Sequence, residues 1–230
     1  MSKTPRYRHE LKYDIDYSDY LALCSRLKHV MHSDKNAGSD GKYLIKSIYF
    51  DNYKDKALIE KISGVPKREK FRIRWYNNDL SYVTLEKKMK ISSLTMKVDA
   101  RWSEAELRLF LSGDYSWMLS HETSLTRELY VKMKTQLIRP RVIVSYLREP
   151  LVYGPGNVRV TFDSNICSSL YTRNFLDPQA TAIDVTDRPG HAILEVKYDD
   201  YLPDIISCMI QSDDCRQQAF SKYSASRRFG

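Results

Sequence analysis

Apolar and cationic residues alternate along the middle of the chain. In the segment KFRIRWY, Phe71 and Ile73 take one parity, whereas Arg72 and Arg74 take the other. The segment VTLEKKMK alternates in the same way after the connection NNDLS. A period of two predicts β-strands, and the connection suits a hairpin. The polar parity of KFRIRWY is almost purely cationic.

The same analysis divides the rest of the chain into strands and helices. Six further segments read as strands: RYRHELKYDI, YLIKSIYFD, TMKVDARW, RPRVIVSYLR, NVRVTFD and HAILEVKY. Apolar positions three or four apart, turn signals and a Ser103/Glu106 capping box predict the helices. The expected helices cover about Ser18–Met31, the segment NYKDKALIEKIS, a helix after Ser103, residues 122–138, and a helix with Pro203 as its first residue.

This order of elements predicts one α+β domain over residues 1–230, dominated by antiparallel strands. A helical insertion is expected at about 103–138. The sequence has neither a repeat nor a low-complexity linker that would mark a domain boundary.

Charged and polar residues share one parity on strand after strand. The pairs and triplets are Glu10 with Lys12, Arg72 with Arg74, Glu86 with Lys88, Tyr146 with Arg148, Arg159 with Thr161 and Asp163, and Glu195 with Lys197. Two arrangements fit this pattern. An open sheet could show its charged side to water, or a barrel could turn that side inward, where unpaired charge is costly. The pattern alone leaves both open.

The composition of the chain limits the classes of partner that it is expected to bind. The 230-residue chain carries a net charge of +8, which favours nucleic acid, an anionic membrane surface or a phosphorylated molecule. It contains no P-loop, dinucleotide fingerprint, nucleophile elbow or zinc spacing. It also has no apolar run long enough for a membrane span and no secretory signal, so we expect a cytoplasmic protein.

Eight segments in order resemble the catalytic domain of the vacuolar transporter chaperone (VTC) polyphosphate polymerases, a branch of the CYTH-like triphosphate tunnel metalloenzymes. The matching segments are RHELKY, SIYFDN, FRIRWY, LEKKMK, SYLR, VRVTFD, ILEVKY and FSKYS. The resemblance spans residues 6–224. It implies an eight-stranded antiparallel β tunnel with a charged lumen and helices packed on the outside.

The resemblance also implies roles for individual residues. Phosphates would be held by Lys12, Arg72, Arg74, Lys88, Arg148, Arg159, Lys197 and Lys222, with hydrogen bonds from Tyr146 and Ser221, and Lys97 is a less clearly aligned tunnel lysine. The catalytic set would be Arg72, Arg74, Lys88, Lys197 and Glu195. Glu195 would bind a divalent metal, Mn²⁺ or Mg²⁺, and Glu86 and Glu10 could help, because hard cations prefer carboxylate oxygen.

Two positions depart from the family pattern. Where the tunnel enzymes have the signature E-x-E-x-K, this chain has Arg8, Glu10 and Lys12, so the first Glu is missing. This departure points away from the hydrolytic branch, which often uses that Glu for metal. Ala219 stands where fungal polymerases tend to have lysine, so the handling of the chain end could differ.

The resulting expectation is transfer of the ATP γ-phosphoryl group to polyphosphate. One alternative is a tripolyphosphatase or nucleoside triphosphatase with water as acceptor. Another is a non-catalytic polyphosphate-binding module. Nucleic acid is the weakest alternative, because Phe71 and Trp75 lie on the opposite parity from the arginines instead of beside them, where bases would stack.

Overall fold

The computed structural model describes residues 8–91, 94–169, 175–177, 183–186, 190–211, 216–217 and 220–227. The strands are β1 (His9–Ile15), β2 (His32–Ser33), β3 (Tyr43–Asp51), β4 (Lys67–Tyr76), β5 (Asp79–Ile91), β6 (Leu94–Trp102), β7 (Arg139–Tyr153), β8 (Val158–Ser169), β9 (Ile183–Asp184), β10 (Ala192–Tyr198) and β11 (Arg216–Gln217). The helices are α1 (Tyr17–Lys28), α2 (Lys56–Ile62), α3 (Glu104–Ser112), α4 (Ser124–Thr135), α5 (Asp204–Met209) and α6 (Lys222–Ser226).

All the strands belong to one antiparallel sheet. Its hydrogen-bonded order is β11-β1-β10-β8-β7-β3-β4-β5-β6, with β2 beside β7 and β9 beside β8. Eight of the described strands have seven or more residues, and the other three have only two. The predicted α+β class with eight principal antiparallel strands is therefore confirmed.

The sheet curls upon itself without closing its hydrogen-bonded path. Strands β1 and β5 lie near opposite ends of the strand order. Nevertheless, Lys88 Nζ on β5 lies 2.9 Å from Glu10 Oε2 on β1. This ion pair joins the two margins of the sheet, so the concave side is tunnel-like.

The predicted hairpin forms between β4 and β5, and its turn is tighter than the quoted connection. Only Asn77 and Asn78 separate the strands, and their φ angles are 50° and 58°. Positive φ at both positions is the requirement of the hairpin turn that matches strand twist, and Asn tolerates it.

Apolar side chains on the convex side of the sheet pack beneath helices. Phe71, Ile73 and Trp75 on β4 join Leu107 of α3 and Leu129 of α4 in one buried cluster. A second cluster packs α1 and α5 against β8 and β10. These helices shield the apolar parity from water, which leaves the charged parity on the concave side.

The element boundaries differ modestly from the sequence predictions. The Ser103/Glu106 capping box is present. However, α2 begins only at Lys56, and Pro203 is the N-cap of α5 instead of its first helical residue. The two strands β7 and β8 are longer than predicted because they pair beyond the alternating stretches: β7 continues to Tyr153, which pairs with Val158, and β8 continues to Ser169, which pairs with Ile143. Every helix in the described part of the chain is too short or too polar to span a membrane.

The convex core yields a stability prediction. Replacing Leu129 with Ala should lower the free energy of unfolding by about 2–5 kcal/mol, because this side chain is fully buried and its loss leaves a cavity. Val131→Ala on the same helix is the control, since Val131 is 51% exposed and its loss should cost less than about 0.5 kcal/mol. Urea unfolding of both variants measures the difference; equal losses would contradict this packing.

Candidate functional site: the cationic inner face

The concave side of the sheet brings the charged parities together. We call this surface the inner face. It comprises Glu10, Lys12, Tyr49, Lys70, Arg72, Arg74, Glu86, Lys88, Lys97, Tyr146, Arg148, Arg159, Thr161, Asp163, Glu195 and Lys197, with Lys222 added from α6. Cations outnumber carboxylates on it, so its geometry depends on how each carboxylate is shared.

Glu86 is the anionic centre of the β4–β6 side. Its carboxylate is almost fully buried and lies 2.5 Å from Arg72 Nε, 3.5 Å from Arg74 Nη1 and 2.9 Å from Lys97 Nζ. Burial raises the pKa of Glu86, but Arg72, Arg74 and Lys97 lower it well below its usual range. The two arginines are thereby fixed with their guanidinium groups facing the concave side, where Arg74 Nη2 also donates to Tyr146 OH at 3.3 Å.

Glu195 and Glu10 organise the opposite side. Lys12 Nζ lies 2.9 Å from Glu10 and 3.5 Å from Glu195, so two carboxylates converge on one ammonium group. Lys197 Nζ lies 2.5 Å from Glu195, and burial, opposed by Glu195 and Glu10, lowers the pKa of this lysine to about 8. Burial raises the pKa of Glu195, but Lys12, Lys197 and Arg148 hold it well below its usual range.

Asp163 anchors the third part of the inner face. Arg148 donates to both of its oxygens, at 2.6 and 2.7 Å, and Lys222 Nζ donates at 2.5 Å. Asp163 is fully buried, and it attaches the C-terminal helix α6 to the sheet through Lys222. Arg159, further along β8, instead contacts Asp34 Oδ2 at 3.0 Å and Tyr43 OH at 2.9 Å.

One residue named from the sequence has a local structural role. Ser221 is the N-cap of α6, and its hydroxyl accepts the Ser224 N–H at 3.3 Å. Ala219 lies outside the described residues. The functional assignments of the inner-face residues stay predictions, although the structure places most of them on one surface.

Four inner-face residues received no role in the site from the sequence: Tyr49, Lys70, Thr161 and Asp163, although the parity pattern contained the last three. Lys70 Nζ lies 5.6 Å from the centre of the Tyr49 ring, and Tyr49 OH accepts from Arg72. Burial and repulsion from Lys88 and Arg72, opposed by Tyr49, lower the pKa of Lys70 to about 7. Lys70 was visible in the parity of KFRIRWY, whereas the position of Tyr49 depends on the β3–β4 register.

Thr161, which the sequence placed on the charged parity without a role, lies opposite Glu195 in the β8–β10 register. Its hydroxyl oxygen is buried, and no group in the described part of the chain hydrogen-bonds to it. Buried polar atoms are rarely left without a partner. This orphaned oxygen beside a carboxylate is therefore consistent with a site that takes a polar ligand.

The donor set of this region is suited to a hard divalent cation. Glu10 and Glu195 converge on Lys12, and Mg²⁺-like ions are commonly held by one or two carboxylates together with substrate phosphates. Glu86 is instead surrounded by Arg72, Arg74 and Lys97. Among the residues described, no three His, Cys, Asp or Glu side chains form a group that could hold a metal by themselves.

Comparison with known proteins agrees with this geometry. A family model, the VTC domain, matches residues 7–229. The chain belongs to the VTC domain family. The resemblance seen in the eight sequence segments is thus confirmed. No curated protein matches this VTC domain.

Two solved structures are similar to the chain at low sequence identity. A candidate adenylate cyclase from Bacillus halodurans is 15% identical, with a TM-score of 0.51, over 90% of the VTC domain chain and 87% of its own. A conserved hypothetical protein from Pyrococcus furiosus is 13% identical, with a TM-score of 0.43, over 91% and 94% of the two chains. The similarity to the Bacillus protein supports the assignment of the fold and nothing beyond the fold.

The position of Lys70 over the Tyr49 ring predicts that the affinity of this VTC domain for tripolyphosphate depends on pH. A bound polyanion favours the charged ammonium, so Lys70 should take up a proton on binding. Affinity for tripolyphosphate should therefore be highest below about pH 7 and fall as the pH rises, by at most about tenfold per pH unit from this group. Lys70→Met should flatten that dependence.

Calorimetry in buffers of different ionisation enthalpy, between about pH 6 and 9, measures the proton uptake. Lys67→Met is the matched control, because Lys67 is an exposed residue of opposite parity on the same strand. The ligand's own titration is common to all variants. Identical pH profiles for wild type and Lys70→Met would contradict the assignment.

Proposed function

We propose that this VTC domain is a metal-dependent phosphotransferase that moves the γ-phosphoryl group of ATP onto a polyphosphate chain. The observation that carries the proposal is the fixed pair Arg72 and Arg74, directed onto the concave side by the buried Glu86. Arginine binds phosphate with two parallel hydrogen bonds. A triphosphate carries about four negative charges, which fits a surface where cations exceed carboxylates.

The inner face suits the demands of phosphoryl transfer. The transition state is loose, so catalysis consists mostly of positioning and charge neutralisation. Arg72 and Arg74 would orient the phosphates from the β4 side, whereas Lys12, Lys197 and Arg148 would neutralise charge from the β1–β10–β7 side. An acceptor phosphate brings its own nucleophilic oxygen, so no side-chain nucleophile is required.

Glu195 and Glu10 are the residues proposed to hold Mn²⁺ or Mg²⁺, with Glu86 as a further candidate. The ion would supply charge neutralisation at the transferring phosphoryl group when bound. Lys12 would release these carboxylates and contact phosphate instead, since its ammonium already lies between them.

The environment of Arg8 favours a polymerase over a hydrolase. This residue replaces the first Glu of the tunnel-enzyme signature, and its Nε lies 2.7 Å from Asp199 Oδ1. Arg8 pairs with Asp199, just after β10, and therefore cannot bind a metal. Glu10 is then the one carboxylate that remains at the signature positions 8, 10 and 12. We accordingly propose ATP and polyphosphate or triphosphate as partners, with the protein acting in the cytoplasm and without nucleic acid.

Product analysis tests the function directly. Purified protein with ATP and Mn²⁺ should form acid-precipitable phosphate chains, resolved by gel electrophoresis, with ADP in equal amount to the phosphoryl groups transferred. Release of orthophosphate and ADP without chains would instead establish the triphosphatase. Binding of polyphosphate without turnover under any divalent metal would establish the non-catalytic module.

Glu195→Gln separates catalysis from binding. This substitution keeps the size of the side chain but removes the charge expected to hold the metal, so turnover should fall by at least about a hundredfold. Polyphosphate affinity should fall by less than about tenfold. Loss of the metal weakens binding, but removal of the Glu195 charge also reduces repulsion of the polyanion. Glu122→Gln, on an exposed side chain, is the control. Unchanged turnover in Glu195→Gln would refute the catalytic role.

A further inference from the structure

Helix α2 exposes large apolar side chains to solvent. Ile59 and Ile62 are three positions apart, so they lie on one side of the helix, and they are 53% and 70% exposed. Tyr53, just before the helix, is 68% exposed. Each of the other five described α-helices contains at least one buried residue, whereas α2 contains none. Apolar residues grouped in this way often mark an interaction site.

The protein holds α2 firmly in this orientation. The two carboxylate oxygens of Asp51 accept the backbone N–H groups of Ala57 and Leu58 at 2.9 and 3.2 Å. Ala57 and Leu58 also pack against a buried cluster that includes residues of α6. Because these contacts secure one side of the helix, Ile59 and Ile62 are presented to solvent on the other.

The open end of the β4–β5 hairpin extends the exposed region. Lys67 and Ile91 lie opposite each other in the register there, and both are exposed. Burial, and then repulsion from Arg68 and Lys90, lowers the pKa of Lys61 at the end of α2, so this helix lies beside the hairpin end. We call the following residues the α2 surface: Tyr53, Lys54, Ile59, Lys61, Ile62, Lys67 and Ile91.

The lysines of the α2 surface keep their positive charge uncompensated. Among the described residues, no carboxylate lies within ion-pair distance of Lys54, Lys61 or Lys67. The two carboxylates on the same segment, Asp55 and Glu60, already contact other cations. The α2 surface therefore combines exposed apolar side chains with unpaired ammonium groups.

We propose that the α2 surface binds peripherally to an anionic phospholipid bilayer. Isoleucine side chains would enter the boundary between headgroups and acyl chains, while the lysines contact the anionic headgroups. Tyrosine suits the same depth, because its ring is apolar and its hydroxyl is polar. This contact goes beyond the proposed phosphotransfer and does not depend on it.

The chemistry of the α2 surface fits a bilayer better than a protein. A two-fold contact between copies of this chain would bring the same lysines towards each other, and like charges oppose association. The cores of interfaces between different proteins are depleted in lysine, and their main side chains fill pockets on the partner. A bilayer offers anionic headgroups beside a fluid apolar interior, which accommodates isoleucine and lysine together.

The apolar part of the α2 surface is tested by vesicle binding. Ile59→Ser/Ile62→Ser should bind phosphatidylcholine vesicles with about 30% phosphatidylserine at least about tenfold more weakly than wild type, because two side chains no longer enter the bilayer. Leu119→Ser/Ile205→Ser is the matched control, since both residues are exposed on other elements, and it should bind within about twofold of wild type. Co-sedimentation measures the partition coefficients. Urea unfolding should show the same midpoint in both variants, because all four side chains are exposed.

The charged part is tested with the same vesicles. Lys54→Gln/Lys67→Gln should bind at least about tenfold more weakly than wild type, because each lysine near an anionic surface adds attraction. Lys35→Gln/Lys134→Gln lowers the net charge equally at two exposed positions outside the α2 surface, and it should bind within about threefold of wild type. Wild type should bind vesicles of phosphatidylcholine alone at least about tenfold more weakly.

Fluorescence quenching locates the contact. In Tyr53→Trp, brominated acyl chains should quench the new indole when anionic vesicles are added. Tyr17→Trp is the control, because Tyr17 is also exposed but lies on α1, which packs against β8 and β10. Its indole should not be quenched beyond the level of wild type.

Three results would overturn the proposal: a wild type that does not bind anionic vesicles, an isoleucine variant that binds as tightly as wild type, or control variants that lose as much affinity as the test variants. Equal quenching in both tryptophan variants would place the contact elsewhere and overturn it as well. The proposed phosphotransfer fails separately, because chain formation is assayed without vesicles and none of the substituted residues is assigned to catalysis.

Discussion

The structure depends on the sharing of a few buried or half-buried carboxylates among many cations. Glu86 and Glu195 each contact three cations, and Glu10 and Asp163 each contact two. Taking charges out of water costs several kcal/mol per ion unless partners compensate. These carboxylates therefore fix the directions of the arginines and lysines, and the remaining positive charge is available to a polyanion.

The same sharing would let the concave side exchange its protein partners for the proposed ligand. Lys12 lies between two carboxylates, so it can turn from one anion to another with little movement. Arg148 is bound by both oxygens of Asp163 and is held more rigidly. Phosphoryl transfer needs both properties, since positioned groups orient the substrate and adaptable ones follow the charge as it moves.

The C-terminal helix α6 adds a part of the inner face that lies far away in sequence. Lys222 donates to Asp163, while Tyr223 stacks on Tyr49 and donates to Asp51. These contacts join the end of the chain to β3 and β8. The complete inner face therefore requires contacts between the end of the chain and strands β3 and β8.

The sequence by itself determined where the strands lie and which side chains share a face. The alternation in KFRIRWY and the other segments was sufficient, because a period of two is a local property of extended backbone. The capping box was likewise predictable, because Ser103 and Glu106 are only three residues apart in the sequence. Alternation could not decide whether the charged face turned inward. That required the helices to cover Phe71 and Trp75, and the margins of the sheet to meet at Lys88 and Glu10. Which carboxylate holds which cation was likewise decided by the tertiary structure alone, because those distances depend on strand register and curvature.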